Sequence, residues 1–207
     1  MGDEKKENAE KQKSVLNPEA PAFVMRTKPI KHTLPYTWTF WYYKRVPGIN
    51  YRDNLHQVVS FDTLEDFWLL YHHLSLVSDL RNMDYLIFKL GVTPVWEDVN
   101  NQRGGRWEVH IPSALRNEVL TTVWVQSVLY SITDWSHFSQ QLCGVVATVR
   151  YRYDRIGIWT SDANDRYITN AIAEEYQNIL DANNCGILQY QPHKVLSRRA
   201  RKSARNK

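Results

Sequence analysis

The sequence predicts an α+β fold, an antiparallel sheet with helices on one face. Two observations predict it. Short segments rich in aromatic and β-branched residues alternate with a period of two, as half-buried strands do. Three segments between them carry apolar residues at helical spacing, and the strands follow one another as hairpins, which favours antiparallel pairing.

The strands come first. Thr37–Lys44 sets Trp38, Phe40 and Tyr42 on one face and Trp41 and Tyr43 on the other. Asn54–Phe61, Asp84–Lys89, Arg106–Ile111, Gly144–Tyr151 and Arg155–Trp159 read the same way, with a shorter candidate at Ile187–Tyr190. The hairpin between the fifth and sixth of these should turn near Tyr153-Asp154. A helix is expected over Leu64–Leu74, where Thr63 and Asp66 make a capping-box start. Its stripe is Phe67, Leu70, Tyr71 and Leu74, and Leu64 and Trp68 flank it, so the apolar arc is wider than burial on a sheet demands. Trp68 is then either peripheral core or an exposed docking residue. A second helix is expected over about 117–132, with Val125 and Leu129 off the stripe of Leu120, Val123, Trp124 and Val128. The third, over about 165–180, faces inward through Ile168, Ala171, Ile172 and Ile179.

Composition narrows the class. Hydrophobic residues make up 43% of 207, enough for a core. No apolar run approaches the ~20 residues of a membrane span. The first thirteen residues carry acids and lysines without an apolar stretch, so no signal peptide is expected. The net charge of +4 is unevenly placed: Lys194, Arg198, Arg199, Arg201, Lys202, Arg205 and Lys207 stand without an acid after residue 193, and the rest is slightly acidic. Nucleic-acid contact would therefore come from a local site or the tail. The expected organisation is a disordered arm over 1–30, one domain over 31–191 and a basic tail over 192–207. Cys143 and Cys185 are too few for a disulfide framework or a thiolate zinc site and read as buried free thiols. Eight tryptophans in one small domain exceed what a core uses, so some should be functional.

Chemistry-bearing constellations are local. Arg150 and Arg152 are two apart and would share a strand face, with Arg155 just past the turn. They suit a nucleotide polyphosphate, or else form a solvated strand end with Asp154 as partial counter-ion. In Pro94–Asp98 a tryptophan adjoins two carboxylates: the indole face of Trp96 attracts an electron-poor ring, and a carboxylate can accept two N–H donors from a guanine edge. Gly104-Gly105 reads as a turn into a strand. Tyr51 ends a second loop and could face Trp96 across a flat base. Nucleophile-elbow, P-loop, zinc-protease and dinucleotide fingerprints are missing, so neither catalytic residues nor a cofactor or metal is expected. The seven histidines are scattered and read as surface or satisfied side chains.

Together these segments resemble the eukaryotic translation initiation factor 4E family. The resemblance rests on His32-Thr33-Leu34, Trp38–Lys44, Phe61–Trp68, Phe88–Asp98, Arg103–Trp107, Cys143–Arg150 and Ile156–Trp159, in the family's order and spacing. It implies a curved antiparallel sheet of about eight strands, three helices on the convex face and a slot for the 7-methylguanosine cap of messenger RNA on the concave face. Residue by residue, it implies Trp96 and Tyr51 as the two slices of a base sandwich, Glu97 as the guanine-reading carboxylate and Trp159 beside the N7-methyl. Arg106, Arg150, Arg152 and Arg155 match basic positions at the phosphates. His32, Leu34, Leu64, Trp68, Val125 and Leu129 match the surface that binds the Tyr-x4-Leu-φ helix of initiation factor 4G and 4E-binding proteins. The resemblance further implies a cytoplasmic, non-enzymatic protein, monomeric on its own, acting in translation initiation. Tyr51 stands where the family usually has Trp. That, with Thr39–Tyr42 and Arg45–Gly48, is similar to the 4E-homologous-protein branch, whose members occupy the cap as repressors; Trp38, where that branch often has Tyr, and Thr33, where the dorsal edge commonly has Pro, depart from the patterns.

Overall fold

In the computed structural model the described residues are 30–196, except Asp134, Ala182, Asn184 and Ile187. Expectations for the arm before Ile30 and for the tail beyond Leu196 lie outside them. Two units separate after Ile30, and every element below belongs to the second.

Seven strands form one curved antiparallel sheet: β1 (Thr33–Lys44), β2 (Leu55–Thr63), β3 (Met83–Lys89), β4 (Gly105–Pro112), β5 (Leu142–Val149), β6 (Tyr153–Thr160) and β7 (Gln189–Pro192). Their order across the sheet is β2-β1-β3-β5-β6-β4-β7. That is one strand fewer than expected among the described residues. Register shifts interrupt the β1–β2 ladder between Thr33 and Trp38 and between Phe40 and Trp41, and such bulges bend a strand.

Helices cover one face. α1 (Leu64–His73) and α3 (Arg166–Asp181) match the expected spans, and α2 (Thr121–Ile132) is preceded by one wider, π-type turn over Arg116–Leu120. At the α1 start the Thr63 hydroxyl accepts from the Asp66 N–H at 3.2 Å. The Asp66 carboxylate does not close a capping box on the Thr63 backbone; it accepts from the Thr63 hydroxyl at 2.6 Å and from Lys31 at 2.7 Å. α3 starts the same way, with Asp165 accepting from the Ile168 N–H. Its inward centre is Ile172, Tyr176 and Ile179, all buried, while Ile168 and Ala171 are only half-buried.

Strand alternation splits the apolar residues between the faces. Phe40, Tyr85, Ile87, Val109, Ile111, Val145, Ala147, Ile156 and Ile158 join Phe67, Val123, Trp124, Val128, Ile172 and Tyr176 in the core under the helices. Tyr43, Leu86, Phe88, Val92, Cys143 and Trp159, with Trp41 packed against them, form a smaller cluster on the opposite face. Cys143 and Cys185 are buried and free, and burial pushes the Cys143 thiol up to about 12.

Three expectations change. The β5–β6 turn comprises Arg150–Arg152, because Val149 already pairs with Asp154. Asp154 is therefore no solvated counter-ion: it is fully buried and takes a two-pronged ion pair from Arg116 at 2.7 and 2.9 Å. Gly104 does close the expected turn into β4, its N–H donating to the Asn101 carbonyl at 2.9 Å, and space requires a glycine there as well, since a Cβ would lie 1.8 Å from the Thr160 carbonyl oxygen. Packing also continues past residue 191: Pro192 pairs with Gly105, and His193 is 1% exposed.

Candidate functional site

The face opposite the helices holds a cavity of about 560 Å³. Its floor is the smaller apolar cluster, and two loops form its mouth. Tyr51, Trp96, Glu97, Arg106, Arg150, Arg155 and Trp159 all line it, beside Tyr43, Asp84, Thr148 and others. Of the eight residues expected at this site, Arg152 alone is elsewhere: it sits exposed at the hairpin turn, since the turn begins at Arg150 and ends the strand alternation that would have put both on one face. A second cavity of about 270 Å³, lined by Gln126, Trp135, His137, Glu175, Asn178 and Ile179, contains none of the expected residues.

Trp96 and Glu97 project from a loop over residues 90–104 that is braced from within. Asn101 is wholly buried and donates both N–H groups of its amide, to the Thr93 and Val95 carbonyls, each at 2.9 Å. Asp98 accepts from the backbone of Thr93 and of Asn100, each at 2.9 Å. Partial burial favours its neutral form, but these hydrogen bonds prevail and hold its carboxyl below the usual range. The two carboxylates beside Trp96 therefore have separate roles. Asp98 shapes the loop, and Glu97 is half-exposed, its closest cation being Arg52 at 4.0 Å. Its oxygens are free to accept from a ligand.

The opposing loop ends in Tyr51, whose ring stacks on Tyr43 at 4.6 Å between centroids and 23° between planes. The buried Asn54 amide ties this loop to the Val46 and Ile49 carbonyls. Trp159 forms part of the floor at 6% exposure, edge-on to Phe88 and 4.2 Å from the His193 ring. His193 shares a hydrogen bond with the Asn101 carbonyl through Nδ1, and burial brings its imidazole down to about 4. It is thus a neutral prop beneath Trp159, with Nδ1–H as the donor.

Three arginines line the far wall, each on an acid. Arg150 forks onto Asp84 and donates to the Val149 carbonyl at 2.8 Å. Glu108 pairs with Arg106 at 3.1 Å and Arg155 at 3.4 Å. Burial favours the neutral form of Asp84, against the pull of Arg150, and it lowers Arg106. Arg116 fixes the backbone of this wall by donating to the Arg150 carbonyl as well as to Asp154. Sequence reading missed Asp84, Glu108, Arg116, Asn101 and His193. An acid at an alternating strand position gives no sign that it faces an arginine two strands away in sequence, and Asn101 looks like any loop polar residue.

This arrangement can hold a flat, electron-poor ring between aromatic faces, accept two donors at Glu97 and offer guanidinium N–H groups to an anion. Among the described residues, no group of three His, Cys, Asp or Glu could hold a metal ion, and no helix is long and apolar enough to cross a membrane.

The expected partner surface lies on the helix face. Leu34, Leu64, Trp68, Val125 and Leu129 pack against the main core and are each half-buried. Trp68 meets Tyr71 edge-on at 5.5 Å. His32 is tied to α1 by Glu65, which accepts from its backbone at 2.9 Å and meets its ring at 2.6 Å.

Comparison with known proteins gives a consistent picture. The family model described as eukaryotic initiation factor 4E matches residues 33–207. Eukaryotic translation initiation factor 4E type 1B of Mus musculus is 37% identical over 164 residues, 78% of this chain and 67% of that protein. Eukaryotic translation initiation factor 4E of Homo sapiens is 33% identical over 203 residues, 97% and 90% of the two chains. Among solved structures, Ascaris suum eIF4E-3 in complex with an m2,2,7G cap superposes with a TM-score of 0.76 at 34% identity, covering 80% of this chain and 93% of that one. The complex of C. elegans eIF4E-3 with the 4E-binding protein Mextli and a cap analog gives 0.76 and 34%, covering 81% and 96%.

Proposed function

Because the chain belongs to the eukaryotic initiation factor 4E family, a family of translation initiation factors rather than enzymes, we propose that its slot grips the 7-methylguanosine cap of messenger RNA. Tyr51 and Trp96 sandwich the base, Glu97 accepts the guanine N1–H and N2–H, and the Trp96 backbone N–H meets O6. Trp159 lies beside the N7-methyl, and Arg106, Arg150 and Arg155 take the phosphates. The observation that carries this reading is the single cavity shared by those side chains. Methylation at N7 makes the base cationic, so stacking on electron-rich rings tells cap from plain guanosine. The relatives named as cap complexes support the same ligand class.

The half-buried patch of Leu34, Leu64, Trp68, Val125 and Leu129 takes an amphipathic helix of the Tyr-x4-Leu-φ type, from an initiation factor 4G or a 4E-binding protein. The C. elegans relative seen with Mextli supports a partner of this kind. A second reading, a cap-occupying repressor similar to the 4E-homologous-protein branch, is favoured by Tyr51 in the sandwich; the chain would then retain a 4E-binding repressor but not initiation factor 4G in a pull-down.

Two retention assays test the proposal. The chain should bind 7-methyl-GTP resin and be released by free 7-methyl-GTP but not by GTP; equal release by both nucleotides would overturn cap recognition. Trp68→Ala should stay on that resin and lose the partner peptide. Loss of both would make Trp68 a core residue.

A further inference from the structure

Glu108 is a carboxylate held in the interior of the sheet. It is 4% exposed, in the middle of β4, and directed to the slot face between Arg106 and Arg155. The register explains how it reaches both. Arg106 faces Trp159, Glu108 faces Gly157 and His110 faces Arg155 across the β4–β6 ladder, so Arg155 and Arg106 are Glu108's neighbours on its own face. Gly157 leaves the lane open: a Cβ there would stand 3.4 Å from Glu108 Cγ and 3.2 Å from the Trp107 carbonyl oxygen. One carboxylate thus serves two guanidiniums. The Nε atoms of Arg106 and Arg155 and the second oxygen of Glu108 are buried without a well-formed hydrogen bond. A guanidinium has five N–H donors, and these two spend only part of theirs on Glu108.

We propose that Glu108 is a built-in counter-anion of the phosphate wall, one that sets how much of the binding comes from phosphate and how much from the base. The proposal rests on the reading of Arg106 and Arg155 as phosphate contacts. Glu108 offsets the repulsion between the Arg106 and Arg155 cations, which would otherwise destabilise the fold. When phosphates arrive they meet arginines that are already partly neutralised, and they meet the Glu108 charge itself. Each phosphate therefore gains less from Arg106 and Arg155 than two bare arginines would supply. Nucleotides that offer phosphates without a cationic base are held weakly, so selectivity falls to Trp96, Glu97 and Trp159. Glu108 acts through Arg106 and Arg155 and is a specificity-determining residue rather than a contact to the base.

The test compares 7-methylguanosine nucleoside with 7-methyl-GTP on the full chain, for the natural protein and for Glu108→Gln, Glu108→Met and Glu108→Asp. The readout is the ratio of the two affinities, a quantity that a general loss of packing would not raise. Neutral substitution should raise that ratio on the order of tenfold, the scale of one charge near a phosphate at a surface-like dielectric. It should also steepen the fall of 7-methyl-GTP affinity with salt, and leave nucleoside binding as it was. Glu108→Asp should keep the natural ratio, and Glu108→Met fills the same lane if Glu108→Gln does not fold. A ratio unchanged or lowered in both neutral variants overturns the proposal while the phosphate wall stands. A natural chain that binds nucleoside and 7-methyl-GTP equally would instead remove the phosphate wall itself, and the proposal with it.

Discussion

Ile158 and Trp159 are neighbours in β6 that face opposite ways, and their surroundings have little in common. Ile158 has no exposure and lies among apolar side chains under the helices. Trp159 lies on a thin apolar floor, propped by a neutral histidine and bordered by arginines held on buried acids. The same alternation runs through β3 and β4: Tyr85 and Ile87 against Asp84, Leu86 and Phe88, and Val109 and Ile111 against Arg106 and Glu108. The helix face closes on itself and supplies stability. The slot face carries arginines that are already held on acids and still line an open cavity, so its ligand-facing side chains should move affinity far more than they move folding.

The sharpest break between the faces comes from adjacent substitutions in β6. Ile158→Ala leaves a cavity in a wholly buried site and should cost about 2–5 kcal/mol of stability, measured by denaturant unfolding, with ligand affinity of the folded fraction retained. Arg155→Gln should do the reverse, lowering 7-methyl-GTP affinity and its salt dependence while the unfolding midpoint stays close to the natural one. Similar stability losses for both would erase the distinction.

His193 ties the slot to folding through pH. Its imidazole lies at about 4 in the folded chain, below its ordinary 6.5, so folding is favoured where it is neutral. That contribution is complete above pH 6.5 and is lost as pH falls from there through 4. Its full size is about 3 kcal/mol. Unfolding curves between pH 7 and 4 should show the loss, and His193→Gln should flatten it.

Within the slot, Trp96→Ala should weaken cap-analogue binding by about 1–3 kcal/mol, the worth of one base stack, with thermal stability unchanged because Trp96 stands at the mouth rather than in the core. Calorimetric titration measures it. Tyr51→Trp should have the smallest effect, tightening 7-methyl-GTP by less than about 1 kcal/mol through a larger stacking face. Weaker binding by that variant would mean that the Tyr51 stack on Tyr43, rather than ring size, sets this side of the sandwich.

Alternation made the sheet legible. Trp38, Phe40 and Tyr42 against Trp41 and Tyr43 divide between the faces as their spacing requires, and the three helices follow from their stripes, the first also from Thr63 at its start. The hairpin turn was misplaced because Asp154 resembles a turn residue and is in fact buried on Arg116, a partner 38 positions away. Arg152 left the slot for the same reason. Family resemblance rather than periodicity singled out Arg106 and Glu97, and nothing local marked Glu108 or Asn101, whose roles depend on which strands the fold brings side by side. Long-range pairing of polar groups is the part that spacing along the chain does not encode.

The most direct test of the slot is a tryptophan-fluorescence titration of the natural chain with 7-methyl-GTP and with GTP. Quenching that saturates at much lower 7-methyl-GTP than GTP concentration is the predicted result, since only the methylated base brings a positive charge between Tyr51 and Trp96 and against Trp159. Equal affinities, or no quenching by either nucleotide, would contradict it.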